Sequence, residues 1–247
     1  MRGSIETISF EGRDTHVYLP PSYNGQTSFP AVYVQDGSYL FADSLKELED
    51  DFAQGLTQEV LFVGIEPEDR CREYTPWYAE GLLPDEQFSG EGDRYLDFVT
   101  EKVIPFIQTR YNVLDDPRQR GITGGSLGAL ISLFAAYRKP AYFSRIALMS
   151  ASLWYENMLA YIEANPFAQD ELLLYMYVGE LEAKGRGNIM ERMVPNTREA
   201  HRLLKDKMPG GERHIRFETD PEGVHEHRNF NQYFPNAMRF IYPGANS

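Results

Sequence analysis

Residues 121–130 read Gly-Ile-Thr-Gly-Gly-Ser-Leu-Gly-Ala-Leu and hold a Gly-x-Ser-x-Gly pentapeptide, Gly124 to Gly128, centred on Ser126. A short apolar approach, Gly121-Ile122-Thr123, precedes it, and a helix-like run, Leu127 to Tyr137, follows. That order describes a tight strand-to-helix turn that lifts a serine hydroxyl clear of the backbone. Gly124 and Gly128 lack Cβ atoms, so strand and helix can close on each other around a strained serine. Such a pentapeptide also arises by chance, and a Ser-capped helix after a glycine turn needs no chemistry. The flanking sequence has to decide.

Toward the C-terminus, Ser144 to Met149 reads as a strand ending in Ser150-Ala151-Ser152. Trp154 to Ile162 reads as a short helix. Glu171 to Val178 is helix-like in composition, but its length and the closing Gly179 favour a buried strand. Residues 191–208 are helical, with cations gathered near the end where the helix dipole favours them. His214 to Glu218 alternates as a last strand with Ile215 and Phe217 inward, and Arg228 to Tyr242 closes as a helix.

Toward the N-terminus, Tyr95, Phe98, Val99, Val103, Phe106 and Ile107 mark one long amphipathic helix, with a kink expected at Pro105. Val60 to Ile65 and Pro30 to Gln35 are continuous apolar runs, as strands buried on both faces require; the second ends in Asp36-Gly37-Ser38. Residues 44–55 have helical spacing behind the cap candidates Asp43 and Ser44. Residues 3–10 and 15–19 alternate, with a hairpin turn expected at Gly12-Arg13-Asp14. From 66 to 93 the chain is polar, aromatic and rich in glycine and proline without a period. A connection of that length is a functional signal, here a substrate-specificity loop. Strands alternating with helices imply a single α/β domain over 1–247. Its sheet is mostly parallel, covered by helices on both faces and preceded by an antiparallel hairpin.

Composition narrows the partners. Hydrophobic residues make up 42% and aromatics 13%, which fits a globular chain. The net charge of −13 disfavours nucleic acid and anionic membranes, which need a basic face. Cys71 is the only cysteine, so an intramolecular disulfide and a thiolate-rich metal site are both excluded. Residues 1–10 lack the apolar core of a signal peptide, and the expected compartment is the cytoplasm.

In sheets of this kind ligands bind at the carboxyl ends of the strands. Four such ends carry useful polar groups: Asp36-Gly37-Ser38, Ser126, Glu180/Glu182 and His225. A serine nucleophile needs a base for its proton and a carboxylate to fix the base's tautomer. Of the five histidines, His16 and His214 lie on alternating strands and His201 in a helix. His225 and His227 sit in the loop Pro-Glu-Gly-Val-His-Glu-His, where a mobile base belongs, with His225 favoured. Glu182 and Glu180 are both within reach as the acid, with Glu156 a distant third. The order Ser, acid, His is the one α/β-hydrolases use. Leu127, and Gly37 or Ser38, are the backbone N–H candidates for an oxyanion hole. The pair His225-x-His227 has no further His or Cys cluster to complete a metal site, and no cofactor is implied.

Several segments together resemble one esterase family of α/β-hydrolases, which includes enterochelin-type siderophore esterases, feruloyl esterases and S-formylglutathione hydrolases. They are Phe29 to Phe41, Val63-Gly-Ile65, Arg70 with Glu73-Tyr-Thr-Pro76, Val103 to Ile107, Gly124 to Gly128, Ser150-Ala-Ser152, Val178 to Glu182 and Gly223-Val-His225. The resemblance implies Ser126 as nucleophile, His225 as base and Glu182, rather than Glu180, as acid. Ala129 departs from the second glycine of many members, and Glu replaces the commoner Asp.

These features imply a cofactor-free serine esterase acting on a small-molecule ester, with a trilactone siderophore as the most specific substrate guess. Tyr39, Trp77, Tyr78, Trp154 and Tyr155 are candidates for lining its pocket, and Arg70 or Arg72 for meeting an anionic ligand. An acyltransferase or thioesterase on the same residues is the alternative. So is a silent binding module, whose mark, a missing nucleophile or base, is not seen.

Overall fold

The computed structural model describes residues 1–82 and 87–247. The chain opens with β1 (Ser4–Phe10) and β2 (Arg13–Leu19), an antiparallel pair turned by Glu11 and Gly12 at φ 51° and 80°. A two-residue turn with both φ positive matches the twist of the flanking strands. The turn thus falls earlier than Gly12-Arg13-Asp14, because Arg13 and Asp14 already pair with Phe10 and Ser9.

β3 (Ala31–Gln35) leads into α1 (Tyr39–Ala42) and α2 (Leu45–Gln54), the latter closed by Gly55 in the left-handed region. Ser44 does not cap α2 with its side chain; its hydroxyl donates backward to the Leu40 carbonyl at 2.7 Å. β4 (Leu61–Ile65) precedes α3 (Arg70–Glu73), whose first amides are capped by the Asp69 carboxylate. β5 (Ala79–Glu80) and β6 (Gln87–Phe88) form a small antiparallel ladder inside the 66–93 segment; residues 83–86 of that segment lie outside the described residues.

α4 (Gly92–Phe98) and α5 (Ile104–Arg110) are joined by a π-helical turn, Val99–Val103. Pro105 has no N–H to donate and its ring crowds the carbonyl four residues back. The irregularity expected at Pro105 therefore takes the form of a widened turn just ahead of it. β7 (Arg120–Gly125) and α6 (Leu127–Arg138) flank Ser126. β8 (Arg145–Met149), α7 (Met158–Ala164), β9 (Leu173–Gly179), α8 (Met193–Lys205), β10 (Ile215–Asp220) and α9 (His227–Ile241) complete the chain. The helix expected from Trp154 starts only at Met158, since tight turns occupy residues 152–158 and Asn157 has φ 62°.

The main sheet runs β1-β2-β4-β3-β7-β8-β9-β10, parallel from β4 to β10 with the β1–β2 hairpin antiparallel at one edge. Alternation along β3 sends Val32 and Val34 to the face covered by Phe41, Leu48, Phe234 and Met238. Tyr33 goes to the other face, with Ile122, Leu130, Phe134 and Ile107. α6 is buried along nearly its whole length, which accounts for its unbroken apolar composition. Because β3, β4, β7, β8, β9 and β10 run parallel in the main sheet, their carboxyl ends share one edge.

Candidate active site

Ser126 sits at φ 58°, ψ −118°, a backbone region that only glycine enters freely. Its N–H donates to the Met149 carbonyl at 3.0 Å, and its carbonyl accepts from Ser152 at 3.1 Å and Leu130 at 3.0 Å. A Cβ on Gly124 would lie 2.6 Å from the Gly128 carbonyl carbon, and one on Gly128 would lie 2.9 Å from the Gln35 Cβ. Both glycines are thus required by close approach of strand and helix, and the strained serine is held from both sides.

The loop after β10 brings His225 over this turn. Its Nε2 lies 3.0 Å from the Ser126 hydroxyl and its Nδ1 lies 2.7 Å from the Glu182 carboxylate. Glu182 is wholly buried; its other oxygen accepts from the Gly179 amide at 2.9 Å and from the Ser150 hydroxyl. The turn carrying Glu182 and the loop carrying His225 meet at Gly179 and Gly223, where a Cβ on either residue would collide with the other's backbone. Phe230 stands edge-on to the imidazole at 5.1 Å.

The other candidates are placed elsewhere. Glu180 pairs with Arg198, which holds its carboxyl below the ordinary range. Glu156 is exposed. His227 stacks on Tyr39, ring centroids 4.2 Å apart. Sequence reasoning gave no role to Ser150, or to Ser152, whose hydroxyl is 3.2 Å from that of Ser126. Their one signal was position, at the end of the strand beside the elbow.

Asp36, Tyr39, Arg70, Gly125, Ser126, His225, His227 and Phe230 line an open cavity of about 460 Å³. Asp36 has φ 60°, donates its amide to the Tyr74 hydroxyl at 3.0 Å and takes two 3.1 Å bonds from Arg70. Burial works against the Arg70 charge, but Asp36 outweighs it and raises the guanidinium pKa. Burial pushes the Tyr39 phenol up as well. Leu127 opens α6, where first-turn amides have no intrahelical acceptor, and the Ser38 amide has no acceptor among the described residues. Gly37 is different. Its N–H donates to the Ile65 carbonyl at 3.1 Å, so the expectation of a free donor there is corrected.

The family described as "Putative esterase" matches residues 11–241. The chain belongs to this esterase family. Protein YbbA of Bacillus subtilis is 38% identical over 244 residues, covering 98% of this chain and 97% of its own. The siderophore enterobactin esterase of Emericella nidulans is 26% identical over 153 residues, 56% of this chain and 50% of its own. Siderophore hydrolase EstA from Aspergillus nidulans superimposes with a TM-score of 0.75 at 20% identity, covering 94% and 93% of the two chains. That last likeness is one of fold, the α/β-hydrolase fold.

Within this esterase, Tyr39 and Arg70 border the cavity beside Ser126, but Trp77 and Trp154 do not. Trp77 is wedged among Phe134, Tyr155 and Tyr161 with its indole N–H on the Glu156 carbonyl at 3.0 Å. Trp154 is buried against Phe88 and borders a separate hollow with Tyr155 and Ile189. Tyr78 is 60% exposed, and Arg72 pairs with Glu68 and Glu73 at a different cleft. Trp77 is a packing residue because its stretch of the chain lies against Phe134 of α6 and Tyr161 of α7, while Arg70, earlier in the same segment, reaches the Ser126 cavity. Among the described residues no group of three or more His, Cys, Asp or Glu can hold a metal ion, and no helix is long and apolar enough to cross a membrane.

Proposed function

We propose that this esterase is a serine hydrolase working through an acyl-enzyme, with Ser126 as nucleophile, His225 as base and Glu182 as orienting acid. The single observation behind it is the continuous line Ser126 Oγ, His225 Nε2, His225 Nδ1, Glu182, with steps of 3.0 Å and 2.7 Å. The hydroxyl proton passes to Nε2 as Oγ bonds to the ester carbonyl carbon, and the carbonyl electron pair moves onto oxygen. The Leu127 and Ser38 amides stabilise that oxyanion. On collapse the carbon–alkoxy bond breaks and the alcohol takes the proton from His225. Water then bonds to the acyl carbon and gives a proton to His225; on collapse the bond from that carbon to Ser126 Oγ breaks, Oγ takes the proton back from His225, and the acid leaves.

The substrate class we favour is a small-molecule lactone ester of the trilactone siderophore type. Two features support it: the similarity to the enterobactin esterase, and a cavity open enough for a bulky ester with Arg70 at its rim, 41% exposed. The Arg70 guanidinium keeps donor capacity beyond its two bonds to Asp36 for an anionic ligand. Steady-state assays on p-nitrophenyl acetate and butyrate, a feruloyl ester and a trilactone siderophore test both parts. Turnover of the simple esters, lost in Ser126→Ala, is the expected result, with the highest kcat/KM on the trilactone. A Ser126→Ala protein as active as the wild type overturns the mechanism. A trilactone left intact while simple esters are cleaved overturns the substrate class.

A further inference from the structure

The cavity contains a donor that the backbone scheme leaves unused. Tyr39 enters from the first residue of α1, two positions past the Gly37 amide that is tied to Ile65. Its hydroxyl lies against Gly125, the residue before Ser126, closely enough that any side chain at Gly125 would collide with the hydroxyl oxygen. Tyr39 is half-buried, and among the described residues its hydroxyl donates to no acceptor, so its proton is available to a group bound in the cavity. The ring is held in place by its stack on His227, 4.2 Å between centroids and 25° between planes. Tyr39 and Ser126 line the same cavity.

We propose that the Tyr39 hydroxyl is a third, side-chain donor to the oxyanion formed at Ser126, acting with the Leu127 and Ser38 amides. The role rests on the serine-esterase reading above. It needs no new chemistry: the carbonyl oxygen gains charge as Oγ bonds to carbon, and the phenol shares its proton without transferring it. Burial keeps the phenol protonated, so the donor is present across the neutral range. A fixed hydroxyl aimed at developing charge stabilises the transition state more than the ground state, so its loss acts on kcat.

The test compares wild type, Tyr39→Phe and His227→Ala in p-nitrophenyl butyrate hydrolysis and in inhibition by an alkyl trifluoromethyl ketone, whose serine adduct carries an oxyanion. Tyr39→Phe keeps the ring on His227 and loses one hydroxyl. Its kcat is expected to fall on the order of 100-fold with KM little changed. The ketone is expected to weaken in proportion to kcat/KM. His227→Ala, which removes only the stacking partner, is expected to lose less than Tyr39→Phe on both measures. Unchanged kcat and ketone affinity in Tyr39→Phe, or a larger loss in His227→Ala, overturns the proposal while leaving the serine mechanism intact. A wild type that neither turns over the ester nor binds the ketone overturns the serine mechanism, and the Tyr39 role falls with it.

Discussion

Glu182 is a carboxylate without solvent contact, answered by the Gly179 amide, the Ser150 hydroxyl and the His225 ring. Replacing it with glutamine keeps the volume but lets the amide favour the wrong imidazole tautomer. Glu182→Gln is therefore expected to lower kcat by about 10⁴-fold in ester hydrolysis with the fold intact by circular dichroism. Ser150→Ala leaves one buried carboxylate oxygen with a single donor. It is expected to cost about 1–3 kcal/mol in urea unfolding and to slow hydrolysis less than Glu182→Gln does. Ser126 and His225 are legible in the sequence because a glycine-framed serine and a loop histidine carry chemical signatures. The choice between Glu182 and Glu180 is open from the residues alone, since both follow Gly179; burial beside Ser150 separates them. Ser150 itself carries no such signature. Its part in the site depends on φ 50° at a strand end, which spacing does not reveal.

Among the elements, α2 does more than cover the sheet. Its Glu49 accepts the Gly3 amide at 2.7 Å, the Arg2 amide at 2.7 and 2.8 Å, and the Tyr18 hydroxyl at 3.2 Å, tying the start of β1 to the helix. Burial alone would raise the Glu49 pKa, but the two amides and Tyr18 outweigh it and lower it. A folded-state value below the unfolded one adds stability above the ordinary glutamate pKa of about 4.3, and that stability is lost as pH falls through the folded value. Glu49→Gln is thus expected to be less stable than wild type at pH 7, with the gap narrowing below about pH 4 in thermal melts. A gap that widens in acid contradicts the assignment. The buried strands were legible as apolar runs of the right length. The details that slipped were local: a hairpin turn shifted because Arg13 is needed in the strand, where it pairs with Glu73, and a π turn in place of a simple proline kink.

For the molecule as a whole, two cores on opposite faces of one sheet bear on the same site. α9 begins two residues after His225 and supplies Phe230, Phe234 and Met238 to one of those cores. Phe234→Ala is expected to cost about 3–5 kcal/mol, and esterase activity and far-UV signal are expected to vanish in a single urea transition. Activity lost well before the structure would contradict that coupling. The α/β class and the covered, mostly parallel sheet follow from alternation of strand and helix signals. The order of the strands does not, because pairing β3 between β4 and β7 joins segments far apart in sequence. Nor does aromatic content tell pocket from core: Tyr39 borders the cavity, while Trp77 fills a gap above α6. On the serine-hydrolase reading proposed above, the fold presents one hydroxyl to one imidazole, and that is open to direct measurement. Intact mass and peptide mapping after reaction with a fluorophosphonate should give one adduct per chain, on Ser126, blocked in Ser126→Ala and strongly slowed in His225→Ala. Equal labelling of wild type and Ser126→Ala, or an adduct on any other residue, contradicts the account.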